Sequence, residues 1–324
     1  MADRILVTGV TGFIGSHMVK ELVKQNYEVY GLMRYATNRN PVLMKDFLEG
    51  ATLINCDVSD YISVREALKR ANPDTVVHLA ALSPVRDSFE KPFPYVYTNI
   101  IGTMNIAYSI LELPDFQNRK MVYASTAEVY GIQDKYPSKE DSVLNPVSPY
   151  ANTKAMTDVQ LRMMSRVYKL NATVMRCTNS YGRKIDTSFF VEYLVNTMLK
   201  GEKVYIGAPE SLREYMYVSD HVGAYLKAIA KKGVSGEAFN ASAGNAISNK
   251  DLAYKIAGML DFDVEKIVLG KYPPNYPLRP IESDQPCIAL DHTKMGKVMG
   301  WKPEVSLDSG LERTIKFWSG KLGV

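Results

Sequence analysis

Short apolar runs and amphipathic stretches alternate along the first half of the chain. The runs are rich in β-branched residues, which favours buried strands, whereas apolar residues three and four positions apart between them predict helices. The predicted strands are residues 5–7, 28–33, 51–55, 74–79, 121–124 and 173–177. The predicted helices are residues 13–23, 62–70, 97–113 (a buried helix) and 150–169, with a polar loop at 83–94. This order predicts an α/β fold in which helices cover both faces of a doubly wound parallel sheet.

The alternation becomes less regular beyond residue 177. Here the predicted elements are helices at 189–199, 221–231 and 307–318, a short strand at 203–206, and a proline-rich run at 272–280. We therefore expect two domains. Residues 1–180 form the parallel sheet, and residues 181–324 form mainly a smaller α+β domain that binds substrate, with some segments returning to the first domain.

A glycine-rich segment joins the first predicted strand to the first predicted helix, with glycines at positions 9, 12 and 15. Glycines allow a sharp turn, let a pyrophosphate approach main-chain N–H groups, and let the helix pack closely on the strand. The positive end of the helix then faces the phosphates. The segment therefore predicts a Rossmann-type domain that binds a dinucleotide. Its candidate cofactor-binding residues are Gly9, Thr11, Gly12, Phe13, Ile14 and Gly15.

Arg34 ends the second predicted strand, where NAD-binding chains usually carry Asp or Glu for the ribose 2′-hydroxyl. A guanidinium cannot accept that hydrogen bond, but it can pair with a 2′-phosphate, and Arg39 is close enough in sequence to assist. The sequence therefore favours NADP over NAD, with stacking of Arg34 on the adenine as the alternative. The further candidate cofactor contacts are Asp57, Val58, Leu79, Ala80, Ala81 and Asn99.

Hydroxyl and carboxylate side chains follow the strand at 121–124, as Ser-Thr-Ala-Glu at residues 125–128. Tyr150 and Lys154 stand four positions apart in the next predicted helix, so their side chains share one face. A nearby cation favours the phenolate, which lowers the pKa of Tyr150 toward neutrality and makes it a usable base. His78 lies inside an apolar run and is expected to be a core residue.

Composition and charge narrow the function classes. The 324-residue chain has a net charge of +4 and no dense Lys/Arg run with interleaved aromatic residues, so nucleic acid is not an expected partner. No long apolar run and no leader-like start are present, which argues against a membrane segment or secretion. Cys56, Cys177 and Cys287 are far apart and indicate neither a disulfide framework nor a zinc site, which fits the cytoplasm.

These motifs together resemble the extended short-chain dehydrogenases/reductases of the nucleotide-sugar epimerase and dehydratase type, along the whole chain. The motifs that carry the resemblance are Thr8-Gly9-x-x-Gly12-x-x-Gly15, Asp57-Val58, His78-Leu-Ala-Ala81, Ser125-Thr-x-Glu-Val-Tyr-Gly131, Tyr150-x-x-x-Lys154, Asn179-x-Tyr-Gly182, Arg213-Glu-Tyr with Val218-x-Asp220, and Gly300-Trp-x-Pro303. The resemblance implies a bound nicotinamide that removes hydride from C4 of a nucleotide-linked hexose and later returns it. It also implies a homodimer paired through helices.

The same resemblance implies roles for individual residues. Tyr150 takes the proton of the C4 hydroxyl, Lys154 holds the nicotinamide ribose and depresses the phenol pKa, and Thr126 hydrogen-bonds the developing oxyanion. Asn179 and Arg213 contact the nucleotide diphosphate. The other candidate substrate-binding residues are Ser83 and Arg86, in the loop at 83–94, and Arg279, for which a structural role is the alternative.

Glu128 decides between the reactions that the resemblance allows. A 4-epimerase needs no second base, because its 4-keto sugar only rotates before hydride returns, whereas a 4,6-dehydratase needs a carboxylate to remove the C5 proton. Thr126-Ala-Glu128 resembles the Thr-x-Glu of GDP-mannose 4,6-dehydratases, while Ala127 departs from the Asp of dTDP-glucose dehydratases. We therefore expect a GDP-mannose-like 4,6-dehydratase. The alternatives are a UDP-glucose 4-epimerase in which Glu128 is structural, a UDP-glucuronate decarboxylase, an NADP-dependent 4-keto-sugar reductase, and a non-enzymatic NADP sensor.

Overall fold

The computed structural model of the protein describes residues 3–34, 45–183, 186–274, 276 and 280–323. Its strands, in chain order, are β1 (Arg4–Thr8), β2 (Glu28–Met33), β3 (Thr52–Asn55), β4 (Thr75–His78), β5 (Lys120–Ala124), β6 (Ala172–Cys177), β7 (Asn179–Tyr181), β8 (Val204–Ile206), β9 (Leu212–Arg213), β10 (Tyr215–Tyr217), β11 (Ala238–Ala241), β12 (Ile247–Ser248), β13 (Ile267–Leu269) and β14 (Cys287–Ile288).

The α-helices of the described residues are α1 (Phe13–Lys24), α2 (Tyr61–Ala71), α3 (Asp87–Glu90), α4 (Pro92–Tyr95), α5 (Gly102–Leu111), α6 (Pro149–Val167), α7 (Phe190–Leu199), α8 (Val218–Ala230), α9 (Asn249–Leu260), α10 (Thr293–Met299) and α11 (Leu307–Leu322). A π-helical turn (Val96–Ile101) precedes α5, and short 3-10 turns occupy Phe116–Asn118, Ala127–Tyr130, Val264–Lys266 and Ile281–Ser283.

Seven strands form one parallel sheet in the order β11-β6-β5-β4-β1-β2-β3. β4 and β6 are buried along their whole length, as expected for strands covered on both faces. The predicted α/β fold class is therefore confirmed. The strand order reverses between β1 and β4, and in open sheets of this kind ligands bind outside the carboxyl ends of the strands at such a point.

Alternate residues of β1 contribute to the cores on the two faces of the sheet. Ile5 and Val7 belong to the hydrophobic cluster that contains residues of α1 and α8. Leu6 belongs to the cluster formed with α2, α5 and α6. The apolar spacing that predicts these helices therefore reflects burial against one face or the other.

Among the described residues from Asn179 onward, β11 joins the main sheet, and the other strands form three small sheets. β7 pairs with β10, β8 pairs with β13, and β9 lies between β12 and β14. A separate hydrophobic cluster packs α7, α9 and α11 together.

The structure differs from the sequence expectation at residues 83–113. The predicted polar loop contains the helical turns α3 and α4. Proline at the first position of α4 favours the start of that second turn. The predicted helix at 97–113 is two segments, a π-helical turn followed by α5. It is also not fully buried, because Tyr97 is 61% exposed and Ile101 is 40% exposed. Its length and apolar character indicated a buried helix, but part of that apolar surface faces outward.

Candidate active site

The glycine segment is a tight turn between β1 and the amino end of α1. Gly9 has a φ of +69°, and a Cβ atom there would lie 2.8 Å from the main-chain nitrogen of Ala80. A Cβ atom at Gly15 would lie 2.1 Å from the carbonyl oxygen of Gly9. Gly12 caps α1 without any side-chain hydrogen bond. The close backbone approach and the open helix terminus fit the pyrophosphate of a nicotinamide dinucleotide.

Thr8 fixes the backbone where β4 ends beside this turn. Its hydroxyl accepts hydrogen bonds from the main-chain N–H groups of Leu79 (3.1 Å) and Ala80 (2.9 Å). The same hydroxyl is 2.8 Å from Nδ1 of His78. Burial and then the charge of Lys154 lower the pKa of His78 to about 3, so its ring is neutral near pH 7. The expectation that His78 is a core residue is confirmed.

Asn99 supports the segment that follows β4 from the π-helical turn. Its amide nitrogen donates to the carbonyl of Leu82 (3.0 Å) and to the hydroxyl of Thr153 (3.0 Å), and its oxygen accepts from the N–H of Leu82 (2.8 Å). Both amide protons are thus engaged within the protein. Asn99 therefore holds the Leu82 segment against α6, and its contact with the cofactor stays a prediction.

Arg34 and Asp57 lie exposed at the carboxyl ends of the adjacent strands β2 and β3. Burial opposes ionisation of Asp57, but hydrogen bonds from the N–H (2.9 Å) and hydroxyl (2.7 Å) of Ser59, with the charge of Arg34, lower the pKa of Asp57 overall. Val58, behind them, is buried. This corner holds the residues predicted to bind the adenosine half of a dinucleotide. Arg39 lies outside the described residues.

Thr126 and Tyr150 meet at the carboxyl end of β5. Ser148 caps α6 by accepting a hydrogen bond from the N–H of Ala151 (3.1 Å), which places Tyr150 in the first turn. The Tyr150 side chain is only 8% exposed, and its hydroxyl is hydrogen-bonded to that of Thr126. The tyrosine and threonine predicted to act on one hydroxyl group are therefore adjacent.

The electrostatics of this pair differ from the sequence expectation. Burial, and secondarily the negative charge of Glu128, raise the pKa of Tyr150 above its ordinary value, although the bond with Thr126 opposes the rise. Lys154 donates to the carbonyl of Ala124 (2.7 Å), and burial lowers the pKa of this lysine to about 7. In the protein alone, desolvation therefore outweighs the expected lowering of the phenol pKa by Lys154.

The Lys154 ammonium lies over an aromatic ring that the sequence analysis did not assign to the site. Its nitrogen is 4.9 Å from the centre of the Tyr123 ring, on β5. A cation above the face of a buried aromatic ring is stabilised by the ring quadrupole. No ion pair of Lys154 occurs among the described residues, so this ring and the Ala124 carbonyl are its observed stabilising contacts.

Glu128 is held by local and distant contacts. The Thr126 hydroxyl accepts a hydrogen bond (3.3 Å) from the Glu128 N–H and so caps the 3-10 turn Ala127–Tyr130. Oε2 of the half-buried Glu128 side chain accepts a hydrogen bond from Nε2 of Gln285. Glu128 also lies near enough to Tyr150 for its charge to raise the phenol pKa. Gln285 has no motif around it, and it lies 157 positions away, so the sequence held no signal for this contact.

A buried polar network connects the segments that carry the candidate catalytic residues. Asp158, one turn beyond Lys154, forms a fully buried two-point ion pair with Arg176 on β6 (2.8 and 3.0 Å). Ser125 donates to Asp158 (3.1 Å), and Arg176 donates to the hydroxyl of Tyr130 (2.8 Å). The ends of the Ser125–Tyr130 segment are therefore fixed relative to α6.

The predicted substrate contacts lie on several separate segments of the chain. Asn179 pairs with Tyr215, two residues from Arg213, so these two diphosphate candidates lie in adjacent segments. Arg86 stacks on two aromatic rings of the second half of the chain, 4.6 Å from the centre of Tyr272 and 4.3 Å from that of Tyr276. Two further candidates are Ser83, which is exposed, and Arg279, which lies outside the described residues.

The described residues also bear on two other classes of protein. No group of three or more His, Cys, Asp or Glu side chains there is arranged to hold a metal ion. No helix among them is both long and apolar enough to cross a membrane.

Comparisons with known proteins agree with this geometry. The family model described as GDP-mannose 4,6 dehydratase matches residues 6–314. A probable dTDP-glucose 4,6-dehydratase of Sinorhizobium fredii is 32% identical, over 97% of this chain and 92% of that protein. The structure of UDP-glucose 4-epimerase with UDP-glucose from Thermotoga maritima superposes with a TM-score of 0.85 at 30% identity, covering 98% of this chain and 99% of that one. The structure of a dTDP-glucose 4,6-dehydratase from Streptomyces venezuelae with NAD bound has a TM-score of 0.87 at 28% identity, covering 99% and 98%.

Proposed function

The chain belongs to the GDP-mannose 4,6-dehydratase family of nicotinamide-dependent nucleotide-sugar enzymes, and we propose that it is a nucleotide-hexose 4,6-dehydratase. The observation that carries this proposal is the position of Glu128. Its negative charge reaches the Tyr150 hydroxyl and raises the phenol pKa, and its main-chain N–H donates to the hydroxyl of Thr126, the residue that caps the turn holding Glu128. A base next to the oxidation site is what elimination across C5 and C6 requires, and C4 oxidation alone does not require it.

The residues of the site divide the reaction between them. A nicotinamide dinucleotide, held by the glycine turn and Lys154, would supply the hydride acceptor that C4 oxidation needs. Tyr150 accepts the proton of the C4 hydroxyl, while the Thr126 hydroxyl donates a hydrogen bond to the developing oxyanion. Lys154, four positions from Tyr150 on the same helix, would hold the nicotinamide ribose.

Glu128 then acts on the oxidised sugar. The C4 ketone makes the C5 proton acidic, so the carboxylate can remove it while the C6 hydroxyl leaves. Glu128 would pass this proton to the departing C6 hydroxyl, which leaves as water. A cofactor would supply the hydride for C6, and the proton that Tyr150 took from the C4 hydroxyl would balance the proton added at C5, so the product would be a 4-keto-6-deoxy sugar. Ala127 has no acidic side chain, so the residue between Thr126 and Glu128 takes no part in this proton transfer.

The cofactor that we propose is NADP. Arg34 is exposed at the carboxyl end of β2, where a guanidinium can pair with a 2′-phosphate. NAD is the alternative, because the Streptomyces venezuelae relative holds NAD. Cofactor titration should give NADP the higher affinity, and Arg34→Ala should reduce that affinity about tenfold, or about 1.4 kcal/mol, with little change for NAD. Equal affinity of the unmodified protein for both cofactors would refute this choice.

The arrangement we propose for the working enzyme is a cytoplasmic homodimer. Apolar side chains are exposed on two adjoining helices. One helix is the π-helical turn together with α5, which continues it, and the other is α6. The exposed residues are Tyr97, Ile101, Tyr108, Met156 and Val159. An apolar surface of this kind favours contact with another copy. Residues 1–180 with β11 would hold the cofactor, and residues 181–324 mainly the nucleotide sugar.

The test is to incubate the purified protein separately with GDP-mannose, UDP-glucose, CDP-glucose, dTDP-glucose and UDP-glucuronate, and to follow each by mass spectrometry and NMR. We expect one substrate to lose water. We expect Glu128→Gln to block this loss of water but to retain oxidation at C4. An unchanged mass with inverted C4 would identify a 4-epimerase, and loss of carbon dioxide a decarboxylase. Tyr150→Phe is the control that should abolish all three reactions.

A further inference from the structure

Gln285 contacts the candidate base from the second half of the chain. On the basis of the proposed dehydratase function, we propose that Gln285 is a positioning residue that orients the Glu128 carboxylate for removal of the C5 proton. Nε2 of Gln285 donates to Oε2 of Glu128, and Gln285 is only 2% exposed. A buried amide needs a hydrogen-bond partner, so this contact fixes both side chains.

The backbone around Gln285 is itself fixed. The carbonyl of Pro286 accepts a hydrogen bond from the N–H of Leu212 (2.9 Å), and β14 then pairs with β9. Ile288 packs in one hydrophobic cluster with Ala127 and Val129, the neighbours of Glu128. The amide is therefore presented to the carboxylate by a strand that packs on the same 3-10 turn.

The chemistry of the donor suits a base. A neutral amide stabilises the ionised carboxylate through one oxygen and leaves the other oxygen available to take a proton. A Lys or Arg in its place would pair with the carboxylate more strongly and make it a weaker base. Among the described residues, no other side chain is hydrogen-bonded to the carboxylate of Glu128. Tyr150 is the titratable group that faces it.

The pairing of β14 also joins Gln285 to a candidate substrate contact. Ile288 on β14 is in register with Arg213 on β9, which the family resemblance assigns to the diphosphate. The segment that contacts the substrate diphosphate and the segment that orients the base are therefore one small sheet. The position of the Glu128 carboxylate thus depends, through Gln285, on the substrate half of the protein. The positions of Tyr150 and Lys154 depend instead on α6.

The experiment compares Gln285→Met and Gln285→Glu in the complete enzyme with its cofactor bound. Gln285→Met keeps the length of the side chain and removes the donor, whereas Gln285→Glu puts a second carboxyl group against Glu128, so that the two carboxyl groups must share a proton or repel each other. Gln25→Met is the matched control, since Gln25 makes an exposed hydrogen bond (2.9 Å) to Glu21 at the far end of α1. Thermal unfolding of each variant is recorded first, and the Glu replacement serves if the Met variant does not fold.

Three quantities are measured: transient absorbance of the reduced nicotinamide for C4 oxidation, deuterium uptake at C5 from D₂O, and the pH profile of water loss. We expect Gln285→Met to leave C4 oxidation unchanged and to slow C5 exchange and water loss about tenfold to a hundredfold. The acidic limb of the pH profile should move about one unit to higher pH, because the ionised carboxylate has lost its donor. A merely structural role would not move that limb.

Two negative outcomes are distinct. If Glu128→Gln blocks water loss but both Gln285 variants keep the rate and pH profile of the unmodified enzyme, the positioning role is wrong and the dehydratase function stands. If Glu128→Gln itself eliminates water at the normal rate, or no substrate loses water, the proposed function fails and the role of Gln285 fails with it.

Discussion

The aromatic ring beneath Lys154 provides a test of the electrostatics of the cofactor site. Tyr123→Leu removes the ring whose centre lies 4.9 Å from the lysine nitrogen. The hydrogen bond from Lys154 to the Ala124 carbonyl remains. Burial already lowers the pKa of Lys154 to about 7. Loss of a stabilising contact to the charged form must lower that pKa further, so the ammonium would persist only at lower pH.

The size of the effect follows from the burial of the pair. Lys154 is 3% exposed and Tyr123 is completely buried, so solvent does not screen their interaction. A desolvated cation–π contact contributes about 2 kcal/mol. At about 1.4 kcal/mol per pH unit, its loss corresponds to a shift of roughly one to one and a half units. Deletion of the ring also leaves a cavity, which lowers the free energy of unfolding by about 3 kcal/mol.

The measurement is the affinity for nicotinamide cofactor as a function of pH, by calorimetric titration. If Lys154 holds the ribose as an ammonium, affinity in the unmodified protein should fall as pH rises above about 7. In Tyr123→Leu the fall should begin about one unit lower. Tyr123→Phe keeps the ring and should retain the original profile. Identical profiles for the Leu and Phe variants, with both proteins folded, would refute a contribution of the ring to the Lys154 charge.

Three further predictions concern the loop, the buried network and the oligomer. Gly15→Ala should abolish cofactor binding in a titration, because the new Cβ would lie 2.1 Å from a carbonyl oxygen of the same loop. Asp158→Asn should lower the free energy of unfolding by about 3–5 kcal/mol in a urea titration, because Arg176 keeps a buried charge without its partner. The control is Glu210→Gln, which removes an exposed ion pair and should change the free energy of unfolding by less than about 1 kcal/mol. Val159→Glu should convert a dimer to a monomer in sedimentation experiments, and an unchanged mass would exclude α6 from the interface.

The sequence predicted the parallel sheet because each central element carries its own local pattern. β4 and β6 contain consecutive apolar residues and are buried along their whole length, and α1 follows a glycine segment whose spacing has a direct steric reason. The segment at 83–113 was predicted less well. Its helical turns are short, and apolar residues such as Tyr97 face outward, so periodicity within one chain could not reveal what they pack against.

Candidate site residues that are neighbours in sequence are also neighbours in space, which is why local patterns could propose them together. Thr126 and Glu128 share a 3-10 turn, and Tyr150 and Lys154 share a helix face. Prediction failed for the pKa of Tyr150, because burial depends on packing from many elements and outweighs a single nearby charge. Gln285 could not be found from the sequence because tertiary structure alone brings it to Glu128.

These differences suggest how one fold supports more than one reaction. The residues that we propose for C4 oxidation follow β5 or lie on α6, and Asp158 on α6 ties these segments together through Ser125 and Arg176. The residue that would direct the oxidised sugar toward elimination, Glu128, is held instead by Gln285, beside a strand of the substrate half. Changes in that half can therefore alter the reaction without disturbing hydride transfer. On this reasoning, the contact between Gln285 and Glu128 distinguishes a dehydratase from an epimerase more directly than the shared Tyr150 and Lys154 do.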